Sequence, residues 1–267
     1  MAASALDVVD RLALRLLEEK DGLAVLGLCG AQGSGKSTLA QALQARMGAR
    51  GVASAILSID DLYLTKAERE TLAQSVHPLL RTRGVPGTHD VALGLRVLDA
   101  LAAGQAACLP RFDKGLDDRL PESAWPEAGA GLRLLMLEGW CVGARAQEAG
   151  VLDAPVNALE RDEDGDGRWR RFVNDALAGE YQALFGRIDA LALLAAPGFD
   201  VVQGWRTQQE AELRAGGGSA VMNDAQVARF IQHYERLTRH ILDEMPARAD
   251  LVVALDAERG VTAVRSR

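Results

Sequence analysis

The chain has 267 residues, 48% of them hydrophobic and 25% charged, which excludes a mainly disordered protein. No apolar run approaches the roughly 18 residues that a membrane-spanning helix needs. The formal net charge of −7 argues against general nucleic-acid binding, and three cysteines without a CxxC pair indicate neither a disulfide framework nor a zinc ribbon. We therefore expect a cytoplasmic protein without nucleic-acid or membrane partners, while its oligomeric state stays open.

Short apolar runs alternate with helical patterns along the chain. Residues 1–20 predict an N-terminal amphipathic helix, and further helices are predicted over 36–47, over 91–103 after the cap Asp90, and from Asn223 or Asp224 onward. The predicted strands are 23–29, 53–59, 132–137, 188–195 and 251–255. Such alternation is typical of βαβ units around a parallel sheet. We predict a single α/β domain over 1–267, with helices flanking a central, mostly parallel sheet in three layers.

The segment GAQGSGKS, from Gly30 to Ser37, matches the pattern G-x-x-x-x-G-K-[ST] between a predicted strand and a predicted helix. Glycines let backbone N–H groups surround a phosphate, Lys36 supplies a positive charge, and the Ser37 hydroxyl can ligate Mg²⁺. This context predicts a P-loop NTPase fold that binds a nucleoside triphosphate rather than NAD. The candidate nucleotide-binding residues are Gly30, Gln32, Gly33, Ser34, Gly35, Lys36, Ser37 and Thr38.

Carboxylates follow two of the predicted strands, where ligands of open α/β sheets bind. Glu138 ends the strand 132–137 and is the candidate partner of Ser37 in orienting Mg²⁺. Asp60 and Asp61 follow the strand after the phosphate-loop helix, and either could take the proton of an acceptor hydroxyl. The sequence does not choose between these two.

Basic residues cluster in loops rich in glycine and proline, within the predicted substrate loops 81–126 and ahead of a small-residue stretch at 215–219. The segment 205–219 is the predicted mobile lid, with 215–219 as its hinge. The acidic stretch 162–167 resembles half of an EF-hand loop, but Val173 stands where a glutamate is required, so we interpret it as a surface turn before a helix. His233 and His240 are expected on a polar helix face.

Several of these segments together resemble a known group of kinases. The phosphate loop, the segment SIDDLY (58–63) and the strand-end pair Glu138-Gly139 resemble the phosphoribulokinase, uridine kinase and pantothenate kinase class of P-loop kinases. More narrowly, the chain is similar to the plant-type D-glycerate 3-kinase family and its fungal and bacterial relatives. The segments that carry this similarity are RTRGVPGTHD (81–90), LPRFDKGLDDR (109–119), LEGWCVG (137–143) and GWRTQQE (204–210).

The resemblance implies an enzyme that uses ATP and Mg²⁺ to phosphorylate a hydroxyl of a small acid, with D-glycerate giving 3-phosphoglycerate. It implies that Lys36 and Arg206 stabilise the transferring phosphoryl group, and that Ser37 and Glu138 organise Mg²⁺. The implied acceptor-binding residues are Tyr63, Arg83, His89, Arg111 and Lys114. The alternatives are a uridine- or pantothenate-type kinase of another acceptor, and a non-catalytic nucleotide switch.

Overall fold

The residues that the structure describes form one central sheet of longer strands and two short two-stranded sheets in the loops. This computed structural model describes residues 4–215 and 222–267. The strands are β1 (Ala24–Gly30), β2 (Ser54–Ser58), β3 (Ala107–Cys108), β4 (Phe112–Asp113), β5 (Asp118–Arg119), β6 (Glu127–Ala128), β7 (Leu134–Gly139), β8 (Ala190–Ala195), β9 (Leu251–Leu255) and β10 (Val261–Ser266).

Helices lie between the long strands, as the sequence patterns predict, and a 3₁₀ turn (Ile59–Leu62) follows β2 directly. The helices are α1 (Ala5–Glu19), α2 (Lys36–Ala49), α3 (Lys66–Ser75), α4 (Val91–Ala102), α5 (Ala158–Glu163), α6 (Arg168–Ala178), α7 (Glu180–Phe185), α8 (Phe199–Ala215) and α9 (Asp224–Glu244). Among the described residues, no helix is both long and apolar enough to cross a membrane.

The central sheet has six strands in the order β10-β9-β8-β1-β7-β2. Neighbouring strands from β9 to β2 are parallel, and β10 pairs antiparallel with β9 at one edge. The predicted α/β fold with a mostly parallel sheet flanked by helices is confirmed. The sequence patterns miss β10, because its residues beyond Val261 are exposed and form no continuous apolar run.

The middle of the sheet is buried on both faces. Every residue of β1 and β7 is buried, as expected for central strands of a parallel sheet that is covered by helices on each side.

The predicted N-terminal helix begins at a cap, since the Ser4 side chain accepts a hydrogen bond from the Asp7 backbone N–H. It packs against α2 and the sheet through an apolar face that contains Val8, Val9, Leu12 and Leu16.

The segment predicted as a lid, 205–219, begins inside α8. Trp205 is buried, and its indole N–H donates to the backbone carbonyl of Ala257 at 2.6 Å. Because Trp205 is held in the core, a moving segment would have to begin after this residue. Residues 216–219, which contain most of the predicted hinge, lie outside the described residues, so lid movement stays a prediction.

The acidic stretch 162–167 precedes a helix, as predicted, but the prediction of a surface turn is wrong for Asp164. Its carboxylate is 1% exposed and accepts hydrogen bonds from the backbone N–H groups of Trp169 and Arg170 at the start of α6. It also pairs with the Arg170 guanidinium at 2.9 Å. The sequence shows a run of acidic residues, but it does not show which of their carboxylates pairs with a buried arginine. Within the described residues, no group of three metal-ligating side chains forms.

The histidine His233 also departs from its predicted place on a polar helix face. It is 4% exposed and packs edge-on against Trp169, with ring centroids 5.8 Å apart. The helix α9 presents two buried sides, one to α8 and one to α5, so a pattern based on one apolar face underestimates what it buries.

We expect Asp164→Asn to lower the free energy of unfolding by about 3–5 kcal/mol, because Arg170 would be left buried without its counter-charge. The measurement is urea denaturation followed by circular dichroism. Asp162→Asn is the matched control, since the Arg161–Asp162 pair has side chains that are 64% and 60% exposed. This control should change stability by about 0.5 kcal/mol or less. Equal losses in both variants would contradict the prediction.

Candidate active site

The loop over residues 30–37 joins β1 to α2 in the strand–loop–helix arrangement that its motif predicts. Gly33 has a φ of +78°, in the left-handed region that favours glycine, and a Cβ there would lie 2.6 Å from Trp205 Cβ. Gly35 precedes α2 without a side-chain cap, which leaves the first N–H groups of the helix open to an anion. The loop therefore has the geometry of a phosphate-binding site.

Two side-chain oxygen atoms of this loop are buried and lack a hydrogen-bond partner among the described residues. These atoms are Gln32 Oε1 and Ser34 Oγ. Buried polar groups in folded proteins normally find a partner, so a ligand or a water is expected beside them. Lys36 is the first residue of α2, with Ser37 and Thr38 exposed in the same turn. The polar groups of the loop are thus available to a bound nucleotide.

Glu138 lies beside the phosphate loop because β7 runs parallel to β1. Its backbone is in register with Leu28, and its Oε1 accepts a hydrogen bond from the Ser37 hydroxyl at 3.1 Å. Glu138 is 4% exposed, and its Oε2 has no partner among the described residues. A hydroxyl next to a carboxylate with an open oxygen suits Mg²⁺, which prefers oxygen ligands. Ser37 and Glu138 therefore fit the predicted magnesium-binding role.

The two aspartates after β2 have different surroundings, and Asp61 is bound to the neighbouring loop. Its Oδ1 accepts from the Phe112 backbone N–H and its Oδ2 from the Arg111 guanidinium, both at 3.1 Å. Burial raises the pKa of Asp61, and these two donors oppose that rise only in part. Asp61 therefore fixes the position of the loop around residues 111 and 112.

Asp60 is bound by side chains instead. Its Oδ1 accepts from the Tyr63 hydroxyl at 2.6 Å and its Oδ2 from Lys114 Nζ at 2.7 Å. Burial opposes ionisation, but the charges of Lys114 and Lys36 and the two hydrogen bonds outweigh it, so the pKa of Asp60 lies well below its ordinary value. Asp60 is consequently an ionised carboxylate whose partners are a tyrosine and an exposed lysine.

Several arginines of the predicted substrate loops pair with carboxylates. Arg83 contacts Asp117 across the β4–β5 hairpin. Arg119, which the sequence motifs do not single out, donates to the Tyr63 carbonyl at 2.9 Å and to Asp90 at 3.2 Å. Its only sequence signal is its place at the end of the 109–119 motif. These pairs fix the hairpin against the segments that carry Asp60 and His89.

His89 is buried beside Tyr63, with ring centroids 4.8 Å apart. Its Nδ1 lies 2.5 Å from the Tyr181 hydroxyl, which accepts from the Gly87 backbone N–H. A Tyr181 hydroxyl that donates its proton to Nδ1 leaves the ring proton of His89 on Nε2, which has no partner among the described residues. Burial lowers the pKa of His89 to about 4. His89 is thus a neutral hydrogen-bond donor rather than a cation for an anionic acceptor.

Arg206, predicted to act on the transferring phosphoryl group, lies on α8 and is engaged within the helix pair α8–α9. It contacts Glu210, which is 3% exposed, and stacks over the Phe230 ring at 5.7 Å. A direct role in catalysis would require Arg206 to leave Glu210, so this role stays a prediction.

Arg259, in the turn between β9 and β10, contacts the phosphate loop and is missed by the motifs. Its Nε donates to the Gly33 carbonyl at 2.5 Å, and its guanidinium lies 5.2 Å from the centre of the Trp205 ring. An arginine followed by a glycine in a turn matches no functional sequence motif. The one signal that could have found it is its place after the last parallel strand, at the sheet edge where ligands bind.

A cleft of about 590 Å³ opens beside the Ser37–Glu138 contact, within the size range of small-molecule sites. It lies between α2, the edge strand β2 and the segment 126–132. Asp61 and Arg111 also line it, so the structure brings predicted residues from the phosphate loop, two strand ends and a substrate loop to one cleft.

Two curated proteins resemble the chain over most of its length. It is 36% identical over 245 residues to the uncharacterized kinase mug58 of Schizosaccharomyces pombe, covering 86% of this chain and 87% of that protein. It is 32% identical over 273 residues to the chloroplastic D-glycerate 3-kinase of Arabidopsis thaliana, covering 94% of this chain and 57% of that longer protein. No family model matches the chain.

A solved structure, the D-glycerate 3-kinase of Cryptococcus neoformans, superposes with a TM-score of 0.84 at 25% identity and covers 100% of both chains. The chain belongs to the D-glycerate 3-kinase family of P-loop kinases. The resemblance found in the sequence is confirmed, and the protein is an ATP-dependent kinase. The roles of individual residues stay predictions that variants can test.

We expect Arg259→Ala to raise the KM for ATP about tenfold while changing kcat less, because the variant loses a charged hydrogen bond, worth about 1.5–3 kcal/mol, to the phosphate loop. The measurement is steady-state ADP release at varied ATP. Arg265→Ala, on the exposed strand β10, is the matched control and should leave the KM for ATP unchanged. An unchanged KM in Arg259→Ala would contradict a role for this contact in nucleotide binding.

Proposed function

We propose that the protein transfers the γ-phosphoryl group of ATP to a hydroxyl of a small hydroxy acid, with D-glycerate as acceptor and 3-phosphoglycerate as product. The observation that carries the proposal is the ionised Asp60, held beside Lys114 at the same sheet edge as the phosphate loop. A carboxylate with an exposed cation next to it suits an acceptor that offers both a hydroxyl and an anionic group. The similarity to two D-glycerate 3-kinases supports this choice of acceptor.

Asp60 is the proposed base. It accepts the acceptor's hydroxyl proton as the hydroxyl oxygen bonds to the γ-phosphorus, and the bond to the β–γ bridging oxygen breaks, leaving its electron pair on ADP. Asp61 is a poorer candidate, because its partners are a backbone N–H and Arg111 of the loop that it holds in place, whereas one partner of Asp60 is the exposed Lys114. The base is thus assigned to the first aspartate of the pair.

The opposite side of the site holds the nucleotide. The N–H groups of residues 33–36 surround the phosphates, and Lys36 places a positive charge next to them. Ser37 and Glu138 would hold Mg²⁺, which when bound neutralises charge on the phosphate oxygens. The catalytic work of these residues is positioning and electrostatic stabilisation, since phosphoryl transfer needs little covalent chemistry from the protein.

The acceptor side supplies donors of two kinds. Arg83, Arg111 and Lys114 provide charge for a carboxylate, while His89 provides a neutral N–H donor and Tyr63 orients Asp60. Planar guanidinium groups bind carboxylates in pairs of hydrogen bonds, which favours an acid over a neutral nucleoside. The cytoplasmic location expected from the sequence stays a prediction.

The test is ADP release against a panel of acceptors that contains D-glycerate, L-glycerate, uridine, pantothenate and glycerol. We expect D-glycerate to give the highest kcat/KM, because it offers a hydroxyl to Asp60 and a carboxylate to the neighbouring cations. Product analysis by ³¹P NMR should show 3-phosphoglycerate. Turnover on uridine or pantothenate with none on D-glycerate would reject the proposed acceptor, and slow hydrolysis that no acceptor stimulates would favour a nucleotide switch.

The assignment of the base is tested by the matched variants Asp60→Asn and Asp61→Asn. We expect Asp60→Asn to lower kcat by about 10²–10⁴-fold with the Kd for ATP unchanged, because proton transfer is lost while the phosphate loop is intact. Asp61→Asn keeps one oxygen for the Phe112 N–H but loses the negative charge that pairs with Arg111. It should therefore chiefly lower stability and raise the acceptor KM. A larger kcat loss in Asp61→Asn would reassign the base.

A further inference from the structure

The hairpin that carries Lys114 is anchored to the rest of the protein without the help of this residue. At the base of the β4–β5 hairpin, Phe112 and Arg111 bind Asp61 from one strand, and Arg119 binds the Tyr63 carbonyl from the strand paired with it. These contacts involve backbone groups and partly buried side chains. The position of the hairpin therefore does not depend on the Lys114 ammonium.

Lys114 differs from the arginines around it in how it is held. Its side chain is 62% exposed, and its only ion-pair partner among the described residues is Asp60. Arg111 and Arg119 each bind a backbone carbonyl in addition to a carboxylate. Because the Lys114 side chain is exposed and one carboxylate alone holds it within the described residues, its ammonium can exchange Asp60 for another carboxylate that arrives beside it.

The contact with Lys114 also reduces the reactivity of the proposed base. Tyr63 and Lys114 together occupy both oxygens of Asp60, and a carboxylate stabilised by a cation is a weaker proton acceptor. A water molecule that reaches the γ-phosphate under these conditions meets a base whose proton affinity is low. A base of low proton affinity would slow wasteful ATP hydrolysis while the acceptor site is empty.

We propose that Lys114 suppresses Asp60 in the acceptor-free enzyme and moves to the carboxylate of the incoming acid, so that the base becomes active only when an anionic acceptor is bound. This inference rests on the proposed function, and it explains why the acceptor would have to carry an anionic group. The acceptor carboxylate takes the Lys114 ammonium from Asp60 Oδ2, and this oxygen then accepts the hydroxyl proton. A neutral alcohol cannot release the base in this way.

The same exchange predicts a pH effect. Several titratable groups, on six different segments of the described part of the chain, interact electrostatically with Asp60. They are Lys36, Asp61, Tyr63, His89, Lys114, Cys141 and Tyr234. Of the two lysines, Lys114 has the larger effect. Removing its charge should raise the pKa of Asp60 and move the acid limb of the pH profile of acceptor-free ATP hydrolysis to higher pH.

The test compares Lys114→Met with the parent enzyme. We expect acceptor-independent ATP hydrolysis to rise about 3–10-fold, the KM for D-glycerate to rise at least about tenfold, and the preference for D-glycerate over glycerol in kcat/KM to fall. Lys66→Met, which removes an equal charge from the exposed start of α3, is the matched control and should match the parent in all three. Lys114→Arg should keep hydrolysis low, because the charge is retained.

Two results would overturn the proposal. One is hydrolysis that stays at the parent level in Lys114→Met with an unshifted acid limb. The other is a fall in kcat with an unchanged D-glycerate KM, which would place Lys114 on the transferring phosphoryl group instead. These results can be distinguished from a failure of the proposed function. The hydrolysis rate and its pH profile are measured without any acceptor, whereas the proposed function is tested by the acceptor panel.

Discussion

The parallel register of three strands is the constraint on which the site depends. Glu138 of β7 stands opposite Leu28 of β1 on one side and opposite Ser58 of β2 on the other. The ends of these strands therefore meet at one edge, where the phosphate loop, the carboxylate proposed to hold Mg²⁺ and the aspartates after β2 emerge side by side. Because successive side chains of a strand point to opposite faces, a shift of one residue would turn Glu138 away from Ser37.

The second requirement is compensation of charge within a protein that is acidic overall. Asp60 and Asp61 are neighbours in sequence, but the 3₁₀ turn directs them to different partners, one to Tyr63 and Lys114 and the other to a backbone N–H and Arg111. The same residue type thus serves as the candidate base in one position and as an anchor in the next. The excess of acid in the chain does not prevent phosphate binding, since the cations act over short distances.

The sequence predicts those parts of the structure that local patterns determine. Apolar runs predict the parallel strands, and the glycine-rich motif predicts the phosphate loop, because both depend on residues close together in the chain. The contact of Arg259 with Gly33 joins residues 226 positions apart, and no local pattern indicates it. The burial of Asp164, the tautomer of His89 and the choice between Asp60 and Asp61 likewise depend on partners that only the folded chain brings together.

The helix α9 links the two sides of the site. The Tyr234 hydroxyl donates to the Arg83 carbonyl at 3.0 Å and occupies the space beside Gly84, where a Cβ would lie 2.0 Å from the hydroxyl oxygen. Phe230, one turn earlier on α9, packs under the Arg206 guanidinium. One face of this helix therefore supports both the loop that carries Arg83, which is predicted to bind the acceptor, and Arg206, which is predicted to act on the phosphoryl group. The positions of both predicted site arginines therefore depend on α9, through a tyrosine hydroxyl in one case and a phenylalanine ring in the other.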